Sequence, residues 1–198
     1  MVACRRLPLV KISSYTNMLT WRDLEAHCAH GRLVKWSPRQ GSHPPEGGRA
    51  LYMSPKVYAD FEQSPWPGST GEKPTQTRRR RAAMRTALER YWNGDAINLR
   101  HDIKELGSEP VNAKMRGFWE FRSQGPMEET RLFGFFAFKG AFVSLSFKGR
   151  GHFASDRGAW HAERNACEAQ WSALSNGHLY LAAPWPVLTR SQLLAYTG

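Results

Sequence analysis

Between residues 117 and 148 the hydrophobic pattern has the short period of a sheet. Gly117–Arg122 (GFWEFR) alternates aromatic with polar residues, Thr130–Phe138 (TRLFGFFAF) is a mostly apolar run, and Ala141–Lys148 (AFVSLSFK) returns to a period of two. Aromatic and β-branched residues in this arrangement predict strands. Lys139-Gly140 supplies a tight hairpin turn between the last two, and Ser123–Glu129 joins the first two. The three therefore read as a contiguous antiparallel meander.

Elsewhere the period lengthens. Met84, Ala87, Leu88 and Tyr91 fall at i, i+3, i+4 and i+7, which predicts an amphipathic helix over Arg78–Tyr91, stopped by Asn93-Gly94. Thr20, with Asp23 three residues on and Leu24, Cys28 and Leu33 as apolar positions, N-caps an earlier helix that Gly31 interrupts or caps. Ser54 and Pro55 open a helix over Pro55–Gln63. Strands are expected at Leu7–Ile12 and Leu179–Ala182, a short segment at Ala50–Met53, and helices around Trp160–Leu174 and at Arg190–Tyr196. The Pro-, Gly- and Ser-rich stretches 37–49 and 64–77 read as loops or linkers, as does Gly149–Gly158. No internal repeat is present. The fold class expected is α+β, an antiparallel β-meander packed by helices. Residues 1–70 form an N-terminal extension or small α/β subdomain, 75–175 the main domain, and 176–198 a C-terminal tail.

Composition adds a partner to this outline. At 198 residues, 41% hydrophobic and 12% aromatic, the chain can bury a full core. A formal net charge of +11 draws polyanions, chiefly DNA and RNA. An anionic membrane competes for that role, but no apolar run approaches a bilayer-spanning length and no long basic amphipathic helix stands alone. Nucleic acid, and no membrane, is the expected partner. Cys4, Cys28 and Cys167 are too dispersed for a disulfide framework, and Leu7–Val10 is too short for a signal-peptide core. A reducing, cytoplasmic setting is expected.

The chain lacks a GxxxxGK[ST] loop, HExxH, GxSxG and paired CxxC. His27, Cys28 and His30 lie close in sequence, but neighbouring helical residues diverge by about 100°. They read as two surface histidines beside a buried cysteine, so no metal is expected. Two cationic groups carry more weight. Arg78, Arg79, Arg80 and Arg81, with Arg85 on the same helix, place four cations at the positive end of a helix dipole, a cost that a phosphate backbone offsets. Arg122, Arg131, Lys148, Arg150 and His152 converge at one end of the meander by antiparallel pairing. Such a group can bind a scissile phosphate, stabilise developing charge and supply an acid or base. It can equally be a set of exposed strand-end charges that keep a sheet edge from aggregating. The residues alone admit both.

The segments Ile103-Lys104-Glu105-Leu106, Gly117-Phe118-Trp119-Glu120-Phe121-Arg122, Arg131-Leu132-Phe133-Gly134-Phe135-Phe136 and Val143-Ser144-Leu145-Ser146-Phe147-Lys148 together resemble the RelE/ParE toxin superfamily, most closely its HigB-like, phage-associated branch. Ala162-Glu163-Arg164-Asn165-Ala166 is similar to the family's closing helix, and Arg78–Tyr91 stands where its helical hairpin precedes the sheet. The resemblance covers roughly residues 75–175, with Lys148-Gly149-Arg150 in place of a Lys-Lys pair. It implies helices on one face of an antiparallel sheet. It also implies ribosome-associated mRNA cleavage by metal-free attack of the ribose 2′-hydroxyl, with no cofactor and with an antitoxin or host protein as partner. Carried over by position, the catalytic candidates are Arg122, Arg131 and Lys148, with Arg150 and His152 adjacent. The alternatives are a non-catalytic nucleic-acid-binding member of the same fold, and an interaction module displaying Trp119, Phe135 and Phe138.

Overall fold

Strands that are apolar on both faces must be covered on both, and this requirement organises the molecule. The structure is a computed structural model and describes residues 18–39, 42–45, 48–63, 65–67, 71–99, 101–106, 115–123, 129–153 and 158–181. Six strands form one sheet: β1 (Val34–Trp36), β2 (Ala50–Met53), β3 (Ile103–Glu105), β4 (Trp119–Arg122), β5 (Thr130–Phe138) and β6 (Ala141–Gly149), in the order β1-β2-β6-β5-β4-β3. The meander β3 to β6 is antiparallel throughout, and β2 joins it parallel to β6. The fold class is mixed α+β. The expected strand at Leu7–Ile12 and helix at Arg190–Tyr196 lie outside the described residues.

Two helices lie on each face, so helices are not confined to one side as the family resemblance implied. Helices α2 (Pro55–Glu62) and α3 (Pro74–Asn93) bury Val57, Phe61, Met84, Leu88 and Tyr91 against Leu51, Phe121, Leu132, Phe136 and Phe147. Helices α1 (Trp21–Ala29) and α4 (Gly158–Ser175) bury Leu24, Cys167, Trp171 and Leu174 against Tyr52, Phe133, Phe135, Val143 and Leu145. The reason is visible in β5, where every residue from Thr130 to Ala137 is buried. A strand with one wet face would alternate. Residues 34–53 are bound into this sheet by the β2–β6 ladder, so the division drawn near residue 70 separates no sheet from another.

Local chemistry sets the helix ends. The Thr20 hydroxyl accepts from the Asp23 amide and the Asp23 carboxylate accepts from the Thr20 amide, closing a capping box on α1. Ser54 caps α2, and Gly94, at φ +80°, ends α3. Helix α3 begins at Pro74, not at Arg78, which takes residues 74–77 out of the expected loop. Pro74 suits a first helical position, where no N–H is needed, and the Lys73 amide donates to Gln76 Oε1 at 2.8 Å. The loop expected after β6 tightens into a 3-10 turn, Arg150–Phe153. Of the expected strand at Leu179–Ala182, the described residues show a bridge from Leu179 to Met18 and a Leu181 N–H donating to Phe136 O at 2.7 Å. Tyr180 stacks on Phe135 at 4.2 Å between ring centres.

On β3, at the sheet edge, Glu105 is buried and accepts from the Gly117 amide at 2.8 Å. Burial pushes its carboxyl above the usual carboxylate range, outweighing that hydrogen bond and Arg116. An acid raised in the folded state stabilises while protonated, and loses that contribution as pH rises through the folded value. Glu105→Gln keeps an acceptor for Gly117 and has no charge to bury. Its Tm is expected to exceed that of the unaltered protein at pH 7, with the gap closing towards pH 4; a gap that widens on acidification would refute this account.

Candidate functional site at the sheet end

The strand register brings the expected cations into one row. Arg122 lies opposite Arg131, and Arg131 opposite Lys148, across β4, β5 and β6. Paired residues share a face. Trp119, Phe121, Leu132 and Phe147 point to the α2/α3 side, so this row and Glu120 between its neighbours point to the α4 side. The 3-10 turn continues from the end of β6 and adds Arg150 and His152 at the rim.

The row is not a bare cationic surface. Glu120, fully buried, accepts from Arg122 Nε at 2.6 Å and lies 2.7 Å from Arg131 Nη1. Arg131 Nη2 donates to Glu129 Oε2 at 2.6 Å, and Arg150 Nη1 stands 3.6 Å from the same carboxylate oxygen. Cations and carboxylates thus alternate from Arg122 through Glu120, Arg131 and Glu129 to Arg150. Arg131 is only 4% exposed, with its guanidinium 5.6 Å from the centre of the Trp160 ring. With both carboxylates in place it presents no free fork to a phosphate. Exposed side chains are found at the rim, where Arg150 retains 63% and His152 50% of its side-chain surface. His152 Nε2 lies 3.8 Å from Glu163 Oε2, a carboxylate projecting from α4. Lys148, half-buried, and Glu163 both act electrostatically on Cys167, whose thiol is pushed up chiefly by burial.

The arginines of α3 divide in the same way. Arg78 and Arg79 are exposed. Arg80 is 2% exposed and donates to Glu72 and to Pro67 O, both at 2.8 Å. Arg81 donates to Gln63 O at 2.6 Å and lies 5.1 Å from the Trp66 ring centre; Arg85 pairs with Glu62 and lies over Phe61. Three of the five cations therefore fasten α3 to α2 and to the segment that follows it. Because the helix starts a turn earlier than expected, the run sits beyond its first turn, where the dipole cost is smaller.

On α1 the sequence expectation is corrected. His27 is buried, Cys28 is half-buried and His30 is exposed, because Leu24 and His27 share the inward helix face, with His27 beside the end of α4. Burial holds the His27 imidazole below its usual range. Among the described residues no group of three His, Cys, Asp or Glu side chains could hold a metal ion, and no helix is long and apolar enough to cross a membrane. Trp119 and Phe135 are buried, which removes two of the three anchors from the interaction-module reading.

Sequence reasoning missed the carboxylates. Glu120 was legible, since it alternates with Arg122 on one strand face. Glu129 and Glu163 reach the cluster only through the register and through the seating of α4. No protein-family model matches the chain, and neither a curated protein nor a solved structure matches it.

Proposed function

We propose that this chain is an RNA-binding, toxin-like protein that cleaves ribosome-associated mRNA without a metal ion, in the manner implied by its resemblance to the RelE/ParE superfamily. The observation that carries the reading is the cross-strand row Arg122–Arg131–Lys148, which continues at the rim into exposed Arg150 and His152. The element order over residues 75–175 is compatible with it: helix α3, the four-strand meander β3 to β6 and the closing helix α4 follow one another. In this reading Lys148 and Arg150 hold the scissile phosphate. His152 accepts the proton of the ribose 2′-hydroxyl, and the Glu163 carboxylate steadies the imidazolium that results. The 2′-oxygen bonds to phosphorus, the bond from phosphorus to the 5′-oxygen breaks, and the departing 5′-oxygen takes a proton from solvent, leaving a 2′,3′-cyclic phosphate and a 5′-hydroxyl. Arg122 acts from behind as a positioning residue through Glu120, which also holds Arg131 in place.

One observation favours a second reading. Glu120 and Glu129 cancel most of the charge of three arginines, as suits a protein that binds nucleic acid and leaves it intact. Incubating the full chain with single-stranded RNA in EDTA separates the two. Cleavage leaving 2′,3′-cyclic phosphate ends is expected, reduced at least ~100-fold in His152→Ala, the usual contribution of a positioned acid–base group. Salt-sensitive binding of RNA that stays whole would hand the conclusion to the non-catalytic reading. Failure to bind RNA at low salt would end both.

A further inference from the structure

The geometry points to a phosphate-binding site between Arg131 and Arg150 whose resting occupant is the chain's own Glu129 carboxylate. This rests on, and deepens, the nucleic-acid reading of the sheet end. A carboxylate bridging two guanidinium groups occupies the position that a phosphate oxygen takes in an arginine fork. Here one oxygen, Glu129 Oε2, is shared by Arg131 Nη2 at 2.6 Å and Arg150 Nη1 at 3.6 Å.

Three features separate Glu129 from Glu120, which also contacts two arginines. Glu120 has no exposed side-chain surface, whereas Glu129 keeps 26%, so only Glu129 has a path to solvent. The rim is held without its side chain: the Arg150 amide donates to the Glu129 carbonyl at 2.7 Å. A change of rotamer at Glu129 therefore leaves Arg150 anchored. Arg131, for its part, keeps Glu120 as a counter-charge when Glu129 departs. An incoming phosphate gains a shielded guanidinium and an exposed one, and the displaced carboxylate is rehydrated. The site thus discriminates against weakly charged anions, which cannot displace Glu129.

Glu129→Gln removes the competing charge and keeps the side-chain shape. Freeing one phosphate contact steepens the salt dependence of single-strand binding by about 0.7, which corresponds to roughly five-fold tighter binding at 0.1 M salt. Inorganic pyrophosphate, tested by the shift in Tm that it causes, should likewise stabilise Glu129→Gln more than the unaltered protein. Adding Arg150→Ala should abolish both gains. Asp60→Asn, which changes net charge equally at the distant α2, should show neither. Equal gains in Asp60→Asn would reduce the effect to bulk charge and overturn the site. So would unchanged affinity in Glu129→Gln for both probes. A pyrophosphate gain without any RNA binding would keep the site and sink the RNA reading; RNA binding that is indifferent to Glu129 would do the reverse.

Discussion

Arg131→Ala is expected to destabilise the protein by about 3–5 kcal/mol, the cost of removing one partner from a buried ion pair. Arg131 is 4% exposed, and its guanidinium meets Glu120, fully buried, and Glu129. Truncation leaves Glu120 with Arg122 as its one remaining ion-pair partner among the described residues. It also opens a gap beside Trp160, against which the guanidinium packs. Denaturant unfolding followed by tryptophan fluorescence measures the loss; a change below about 1 kcal/mol, the range of surface pairs, would show that the network is weakly coupled to the fold. The result decides how activity data are read. Inactivity of Arg131→Ala would report a collapsing sheet end, whereas inactivity of His152→Ala, altered at a half-exposed side chain, would report chemistry.

Gly134→Ala is expected to be at least as damaging, although it adds one methyl group. A Cβ built at Gly134 falls 1.9 Å from Val143 O and 2.8 Å from Val143 C, both backbone atoms of the paired strand. No side-chain rotation relieves such a contact. The β5–β6 register shifts between Phe133 and Gly134, and the bulge brings the two backbones close there. Relief requires parting the central ladder or slipping its register, and a slip of one residue would turn the buried aromatics of β5 to the wrong face. A loss of about 3 kcal/mol or more, at the upper end of overpacking costs, is expected. Purified Gly134→Ala with a Tm matching that of the unaltered protein would contradict the strand pairing described here. The sheet-end cluster depends on the same pairing, since Arg131 and Lys148 are brought opposite by the register that continues from this bulge.

These two positions also bear on function. The candidate chemistry sits at the end of the β5–β6 ladder, where carboxylates hold Arg122 and Arg131 and the rim groups Arg150 and His152 stay largely exposed. Arg150 and His152 keep the most exposed side chains of this site, with the buried pairing of Glu120 and Arg131 behind them. The α3 arginines supply a second exposed pair, Arg78 and Arg79, on the opposite side of the sheet.

Much of this was open to reading from the chain alone, wherever the physics is local. Capping by Thr20 and Ser54, the Gly94 stop and the Gly140 turn depend on neighbours within a few residues. The period of two over 117–148 is a backbone property, and the hairpin connection carries with it the row of Arg122, Arg131 and Lys148. Net charge is likewise a property of composition alone. Tertiary structure decided the rest, because electrostatic character depends on what lies across space rather than along the chain. Arg80 reads as one of four equivalent cations until Glu72 folds onto it. Arg131 reads as an open cation until Glu120 and Glu129 close around it. The second helical layer arises because β5 is apolar on both faces, and only packing reveals which segments, α1 and α4, cover the far side. A run of arginines states how much charge is present; burial and pairing determine how much of it a ligand can meet.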